Sequence, residues 1–471
     1  MRSPGYYGVF EDLAEFLLRR ASEEGVSFAD VRFEDTTREY IQLVNGRIVT
    51  LSISASRGVA VRVIREGSIG FSSTTELTRE GLERALISAV KAAQALGKGD
   101  KSVAELGVKE GRYTFDSVRK HPSRVAVDEK IDLVKRAYSV AKDSGASSAT
   151  SRYGAYYGFV EVYSLDGVRV LSERLVTGVS ASVVLRENGK TGDGFETFGA
   201  SQGLEYFTGD KAPEKAAEKA VEMARLSLKA RRPPAGEHVV ITRPELTGVF
   251  AHESFGHLTE ADSIFTKTSP LTGRLGEQIA SELVTIVDSG FDPRGGYVLP
   301  VDDEGTPTQR TVLVERGVLV GYLHSRESAA LLGMKPTGNG RAQSFAHDVI
   351  VRMRNTFFER GDWKEEEIIR ETRHGLLLDK PAGGQVEEDG TFTFNSRIGF
   401  IVENGELKEP VRDVVLAGNI LEMLKYIDAV ADNVEISTSP FGGCGKYGQM
   451  VHVGDGGPSL RATRLLVGGE R

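Results

Sequence analysis

The sequence is short of cysteine, with a single one, Cys444, among 471 residues. One thiol cannot close a disulfide within the chain, whereas small secreted domains commonly depend on such bridges. The reducing cytoplasm is therefore the predicted location of the protein. If a thiolate of this chain binds a metal, it belongs to Cys444.

The sequence also lacks an excess of positive charge and any long apolar run. Lysine and arginine number 59 and aspartate and glutamate 67, which gives a formal charge of −8. This balance disfavours nucleic acid or an anionic membrane as the main partner. The longest apolar runs, such as GVAVRVI, are strand-sized and fall short of the roughly 20 residues that cross a membrane. The first residues also lack an apolar signal core. We expect neither a nucleic-acid nor a membrane partner.

The length of the chain exceeds one ordinary core, so two or more domains are expected. The segment 231–238, RRPPAGEH, follows a helical pattern with two prolines and a glycine and is typical of a connector. We predict an α+β fold: a mixed N-terminal domain over 1–230, then a β-rich, barrel-like C-terminal domain over 237–471 that carries the candidate metal site. In the first domain, helices near 9–24, 77–96, 127–144 and 212–230 alternate with strand patterns. No short repeat is evident.

The stretch HESFGH places two histidines, His252 and His257, five residues apart, with Glu253 beside the first. In the zinc-protease pattern H-E-x-x-H the histidines are four apart, which stacks them on one helix face. At about 100° per residue, five residues separate the side chains by roughly 140° around a regular α-helix. A single π-helical turn would realign them, and Gly256 is where the backbone could deviate at the lowest cost.

Two interpretations of this stretch follow. His257 can be an ordinary histidine that interacts with a helix C-terminus, with His252 half-buried. Alternatively, both are ligands of a catalytic metal, which needs a third protein ligand. Cys444, flanked by glycines and followed by Lys446, is one candidate; a nearby cation lowers the pKa of a thiol. Glu260 and His452 are rivals that spacing alone does not exclude.

Several segments, in order, resemble the TldD/PmbA family of metalloproteases and its metal-bearing, TldD-type branch. They are HESFGHLTEAD (252–262), VDDEGTPTQRTVLVERGVLVGYL (301–323), TGNGRAQSF (337–345), RMRNTF (352–357), AGGQVEEDGTFTF (382–394) and CGKYGQ (444–449). The resemblance covers nearly the whole chain. Two departures are Ala261, where the family pattern leads us to expect glycine, and His452, where no histidine is expected.

The resemblance implies a zinc peptidase in which His252, His257 and Cys444 bind Zn²⁺ and Glu253 is the general base. It also implies unfolded peptides as substrates. A cytoplasmic peptidase open to all folded chains would be toxic, so we expect an enclosed cavity that admits only extended peptides. A related subunit that lacks the metal motif can pair with this type, so a homodimer and such a heterodimer are both expected possibilities. The competing hypothesis is a non-catalytic peptide-binding or assembly subunit, which would need none of the three metal ligands.

Peptide hydrolysis also needs groups that hold the substrate and stabilise developing negative charge. Asn339 and Arg341 in TGNGR, together with Asn355, are our candidates for contacts with the peptide backbone or a carboxylate. The alternative is turn chemistry for GNG and a surface charge for Arg341. The acidic run Asp302, Asp303 and Glu304 could bind a cation, although such runs are more often solvated.

Overall fold

The computed structural model describes residues 8–469. Its α-helices are α1 (Glu11–Glu23), α2 (Arg79–Leu96), α3 (Val127–Asp143), α4 (Pro213–Lys229), α5 (Pro244–Val249), α6 (Ala261–Phe265), α7 (Arg326–Leu332), α8 (Glu365–Arg370) and α9 (Ile420–Met423). The four long helices, α1 to α4, lie where the sequence predicts helices. Each has an amphipathic pattern and buries its apolar side against a sheet.

The strands of the N-terminal part form one continuous sheet. They are β1 (Phe28–Val44), β2 (Arg47–Arg65), β3 (Ser68–Thr74), β4 (Glu110–Tyr113), β5 (Ser148–Ser164), β6 (Arg169–Glu187) and β7 (Lys190–Ala200). The order is β3-β2-β1-β5-β6-β4, and β7 also pairs with β6. Neighbours are antiparallel except β4, which runs parallel to β6. A tight turn at Asn45-Gly46 joins β1 to β2, where both residues have positive φ.

This sheet is built from two similar units, each a helix, three antiparallel strands and a second helix. Strands β1 and β5 both have 17 residues, and β2 and β6 both have 19. Helices α1 and α2 cover β1–β3, whereas α3 and α4 cover β5–β7. The two units share the same arrangement of helices and strands but little amino-acid sequence similarity. The repeat is therefore visible in the structure and not in the sequence.

The strands of the C-terminal part are β8 (Gly236–Thr242), β9 (Ile286–Ser289), β10 (Arg310–Glu315), β11 (Val318–Leu319), β12 (Gly340–Arg341), β13 (Ile350–Val351), β14 (Asn355–Phe358), β15 (His374–Val386), β16 (Thr391–Glu403), β17 (Glu406–Asn419), β18 (Ile427–Val430), β19 (Glu435–Thr438), β20 (Cys444–Lys446), β21 (Gln449–Val451), β22 (Gly454–Gly457) and β23 (Leu460–Gly468). Strands β17, β16, β15, β8 and β23 form a closed barrel, because β23 pairs back to β17. The predicted barrel-like C-terminal region is confirmed.

A second C-terminal sheet has the order β11-β10-β9-β14-β22-β19, and β20 and β21 form a separate hairpin. The core between the barrel and this sheet contains Phe250, Phe255, Met353 and Cys444. The segment of the histidine motif therefore crosses the centre of the C-terminal core. Its local conformation is fixed by packing on several sides.

The predicted connector lies between α4, which ends at Lys229, and β8, which begins at Gly236 in the barrel. The domain boundary at this point stays a prediction. Among the described residues, no helix is long and apolar enough to cross a membrane. Residues 1–7 and 470–471, at the ends of the two predicted domains, lie outside the described part.

Candidate metal centre

The motif HESFGH lies on a helical segment whose geometry changes twice. Helix α5 continues into a π-helical turn over Phe250–Phe255, followed by a 3₁₀ turn over Gly256–Thr259. His252 belongs to the π-helical turn and His257 to the 3₁₀ turn. Their ring centroids are 5.6 Å apart, and the rings are nearly perpendicular at 82°. The predicted π-helical turn is confirmed, and with it the two imidazoles meet despite their spacing of five.

Gly256 permits this conformation for a reason other than the one expected from the sequence. Its φ of −56° is an ordinary helical value, so left-handed freedom is not used. Instead, a β-carbon at Gly256 would overlap Sδ of Met353, whose side chain is fully buried. Glycine is required here because the segment packs directly against Met353.

Cys444 reaches the histidines from the β20–β21 hairpin, 187 residues further along the chain than His257. Its Sγ lies 3.2 Å from Nε2 of His257. One ligand atom from each of His252, His257 and Cys444 can be chosen so that all three lie within 4.8 Å of one another. Among the described residues this is the one cluster of three histidine, cysteine or acidic side chains with that property.

The donor atoms of this cluster fit a metal. Both ring nitrogens of His252 are buried, and neither makes a hydrogen bond to any described residue. Buried polar atoms are rarely left without a partner, so such atoms need an explanation, and an ion is one. Two imidazoles and one thiolate are ligands that suit Zn²⁺, and three protein ligands leave a position open for catalysis.

Glu253 lies beside this cluster. Its carboxylate oxygens are 4.0 Å from Nε2 of His252 and 3.8 Å from Nε2 of His257. Its side chain is 45% exposed, whereas that of His252 is 4% exposed. Glu253 is therefore at the solvent side of the cluster, where water has access to a carboxylate next to the candidate ligands.

Glu260 occupies a supporting position rather than that of a third ligand. Nδ1 of His257 forms a 2.8 Å hydrogen bond with Oε2 of Glu260, so Nε2 is left to face Cys444. Nζ of Lys446 is 3.0 Å from the same carboxylate and 2.6 Å from Asp262. A histidine that binds a metal commonly donates its other ring N–H to a carboxylate, which fixes the tautomer and the ring orientation. The other rival, His452, packs against Tyr156 and Tyr297 instead.

The electrostatics of the metal-free cluster favour a thiolate. Burial raises the pKa of the Cys444 thiol, but His252 and His257 outweigh burial and lower it to about 5. Burial lowers the pKa of His252, but Cys444 outweighs burial and raises it to about 9. A thiolate flanked by imidazolium groups results. Binding of a metal cation replaces the protons on the imidazoles, so metal binding releases protons.

Asp455 on β22 is a nearby acidic residue that the sequence did not indicate. Burial raises its pKa to about 6, and its charge interacts with His252, Glu253 and Cys444. Nothing in its spacing could have revealed this position, because the neighbourhood exists only once β22 packs against the helical segment. Gly248 of α5 marks the close approach, since a β-carbon there would press on Oδ2 of Asp455.

The three proposed substrate contacts, Asn339, Arg341 and Asn355, are all buried. The amide of Asn339 donates to Asp288 and to the carbonyl of Arg352. The amide of Asn355 donates to the carbonyls of Ser289 and Tyr297 and accepts from the Tyr297 N–H. These positions support a structural role for both asparagines and give no support to substrate contact.

Arg341 is not a surface charge, because its side chain is also buried, and it donates to the carbonyls of Met353 and His452. The acidic run is likewise buried rather than solvated. Arg174 pairs with Asp303 and Arg62 with Glu304, both at 2.8 Å, while Asp302 accepts backbone N–H groups. The run therefore connects the C-terminal part to the N-terminal sheet.

Models of one family match three parts of the chain. The PmbA/TldA metallopeptidase domain 1 matches residues 29–93, the central domain 120–228 and the C-terminal domain 235–469. A protein of Methanothermobacter thermautotrophicus named a metalloprotease is 38% identical over 95% of this chain and 96% of its own. A zinc metalloprotease TldD homolog of Saccharolobus solfataricus is 30% identical over 96% and 99%.

Solved structures give the same result for the fold. A Thermotoga maritima protein, described as a candidate modulator of a DNA gyrase, superimposes with a TM-score of 0.81 at 25% identity over 98% of this chain and all of its own. TldE of Thermococcus kodakarensis superimposes with a TM-score of 0.78 at 21% identity over 97% and 99%. On the family models and relatives of at least 30% identity across nearly its full length, this chain belongs to the PmbA/TldD family of metallopeptidases.

Proposed function

We propose that the protein is a zinc-dependent peptidase that hydrolyses unfolded or extended peptides. Its zinc ligands are His252, His257 and Cys444, and Glu253 is the general base. The observation that carries the proposal is the convergence of two imidazoles and a thiol, with a solvent-exposed carboxylate 3.8–4.0 Å from the imidazole nitrogens. The name of the Saccharolobus relative supports zinc as the metal.

The chemistry divides between the metal and the side chains. A bound zinc ion supplies Lewis acidity, which polarises a carbonyl and acidifies water. Glu253 accepts a proton from the attacking water and then passes it to the leaving amine. Its exposed position suits this role, because substrate and water reach it from the same side.

The surrounding residues hold the ligands in place. Glu260 orients His257 through the hydrogen bond to Nδ1, and Lys446 holds Glu260. Arg352 donates to the backbone carbonyls of Cys444 and Gln449, which fixes the hairpin that carries the thiol. Ligands held by packing and by such hydrogen bonds need little reorganisation when the metal binds.

An enclosed cavity requires a second chain. Within one chain the cluster is open on the side of Glu253, which is 45% exposed. The N-terminal sheet offers a surface for a partner: Val49, Leu51 and Ile53 on β2 are 49–62% exposed. Among the described residues, β3 pairs only with the later part of β2, from Val59 onward, so the earlier part is a free edge. An exposed apolar edge strand is expected to be covered by another chain.

The function is tested by replacing Glu253 with glutamine, which keeps the shape and removes the base. We expect hydrolysis of a panel of unstructured peptides to fall about 100-fold or more, with the zinc content unchanged. Glu282→Gln, at an exposed position of the C-terminal part, is the matched control and should remain active. Wild-type turnover in Glu253→Gln would contradict the proposed base. A zinc-loaded wild type that binds the peptides and cleaves none would favour the non-catalytic binding subunit.

The oligomer is tested by light scattering at micromolar concentration. We expect a mass of twice the 51.1 kDa of one chain, since a two-fold dimer is the commonest closed assembly. Ile53→Lys should weaken the dimer, whereas Leu275→Lys, at an exposed apolar position of the C-terminal part, should not. A wild-type mass of one chain would contradict a homodimer and leave a related metal-free subunit as the partner to be tested by co-expression.

A further inference from the structure

A small polar cavity lies between the N-terminal sheet and the C-terminal part, beside the hairpin that carries Cys444. Its volume is about 30 Å³. Cys444 of β20 pairs with Val451 of β21, so these two side chains share one face of the hairpin. Val451 and the next residue, His452, line the cavity, whereas none of the candidate metal ligands does. The cavity is therefore a separate site that shares a wall with the metal centre.

The walls of this cavity carry a surplus of positive charge. Four guanidinium groups and two carboxylates line it: Arg32, Arg38, Arg174 and Arg341 with Glu34 and Asp303. Five of these six side chains are buried, and Arg38 is the exposed one. If all six are ionised, the balance is two positive charges. Burial raises the pKa of Glu34, so loss of its charge would enlarge that surplus.

Some of these polar groups have no partner in the described part of the chain. Arg174 is paired with Asp303, but Nε of Arg341 is buried and makes no hydrogen bond to any residue within 8–469. The same holds for both ring nitrogens of His452, which is 7% exposed. The carbonyls of Ser439 and Gly442 lie close enough to the ring to influence its pKa, but neither has hydrogen-bonding geometry.

Arg38 lines the cavity at its exposed side. Its guanidinium lies 5.0 Å from the ring centroid of Tyr156, its cross-strand neighbour, and makes no ion pair with any residue from 8 to 469. Buried charges are normally paired, and buried donors are normally bonded. A cavity with unsatisfied N–H donors, a net positive wall and one exposed guanidinium is suited to an anion that accepts several hydrogen bonds.

We propose that this cavity binds a carboxylate or a comparable small oxyanion. A water-sized site needs roughly 10–15 Å³ of such volume, so the cavity has room for about the two oxygens of a carboxylate. Nε of Arg341 and the guanidinium of Arg38 donate to the anion, and His452 contributes one ring N–H. The inference does not depend on peptidase activity. Two sources share this chemistry: a free small anion and the C-terminal carboxylate of a peptide.

Titration calorimetry at constant ionic strength in a phosphate-free buffer tests the proposal. The probes are sodium acetate, sodium phosphate, and one short peptide with either a free or an amidated C-terminus. Saturable binding of at least one anionic probe is expected. Arg38→Gln should weaken it about tenfold or more, the effect of one charge-assisted hydrogen bond. Arg47→Gln, at an exposed arginine of the adjacent strand outside the cavity, is the control and should bind as the wild type does.

The outcomes distinguish the sources and the alternatives. Binding of the free-acid peptide, weakened by amidation and by Arg38→Gln, identifies a peptide terminus. Binding of acetate or phosphate with no difference between the two peptides identifies a free anion. The absence of saturable binding by every probe overturns the proposal, and the cavity then holds only water. Equal weakening in Arg38→Gln and Arg47→Gln, or none in Arg38→Gln, overturns it as well, because diffuse surface charge or the metal centre then accounts for the binding.

Discussion

Two groups of candidate site residues in the C-terminal part are both buried in the structure but differ in their hydrogen bonding. His252 and Cys444 are buried with ligand atoms turned toward one another, and neither nitrogen of His252 has a hydrogen-bond partner among residues 8–469. Asn339 and Asn355 are equally buried, but their amides are fully engaged with the protein itself.

The difference separates a candidate site from its scaffold. Burial costs a polar group its hydration, and a hydrogen bond within the fold restores most of that loss. The asparagines are compensated by the chain and need nothing from outside. The histidine and the thiol are compensated by each other only in part, so they are positioned to gain from an added cation. Polar groups that lack partners inside the fold are therefore the better guide to ligand binding here.

We expect the largest effect, a loss of stability, from a change at one of the hydrogen-bonded asparagines. Asn355→Ala would remove the side-chain partner of the buried Tyr297 N–H and of the carbonyls of Ser289 and Tyr297, so the free energy of unfolding should fall by about 2–4 kcal/mol. Urea or thermal unfolding measures this change, with Gln94→Ala on the exposed side of α2 as a control that should change little. Elemental analysis of the folded Asn355→Ala protein should still find zinc. Unchanged stability with lost peptide cleavage would instead assign Asn355 to the substrate.

We expect a smaller effect from a change at Glu260. This residue shares features of both groups, because it is hydrogen-bonded within the fold and also orients the candidate ligand His257. Burial raises the pKa of Glu260, but His257 and Lys446 outweigh burial and lower it to about 2, so the carboxylate is charged at neutral pH. Glu260→Gln keeps the size and removes this charge. We expect zinc affinity to weaken about 10–100-fold, measured by competition with a chelating indicator. Glu253→Gln is the matched control, and equal affinities in the two variants would show that Glu260 does not support the ligand.

The sequence revealed those features that depend on spacing along the chain. Five residues between His252 and His257 require a change in helical pitch, and the π-helical turn provides it. The β-rich, barrel-like C-terminal region followed from strand-sized patterns separated by turns. The resemblance of several ordered motifs pointed to the family and to Cys444 over Glu260 and His452.

Features that depend on packing between distant parts of the chain could not be predicted from the sequence. The GNG segment looks like a solvent-exposed loop, yet Asn339 is fully buried, because Asp288 from a distant strand reaches its amide. The two units of the N-terminal sheet share the order of their elements and the lengths of their first two strands, but not their residue patterns, so the sequence shows no repeat. The sequence suggests that Gly256 supplies backbone freedom, whereas in the structure glycine is needed there because a β-carbon would overlap the side chain of Met353. In each case the deciding neighbour is far away in the chain.

The most direct test of the zinc site is elemental analysis of the purified wild type and of Cys444→Ser. We expect about one zinc per chain in the wild type, in keeping with a catalytic site of three protein ligands. Cys444→Ser should lose that zinc and keep the circular dichroism spectrum of the folded protein. Met450→Ser, at an exposed position of the same hairpin, should retain the metal. Zinc in Cys444→Ser equal to that of the wild type would contradict the proposed ligand set and point to Glu260 or His452. A folded wild type without zinc would contradict the metal centre itself.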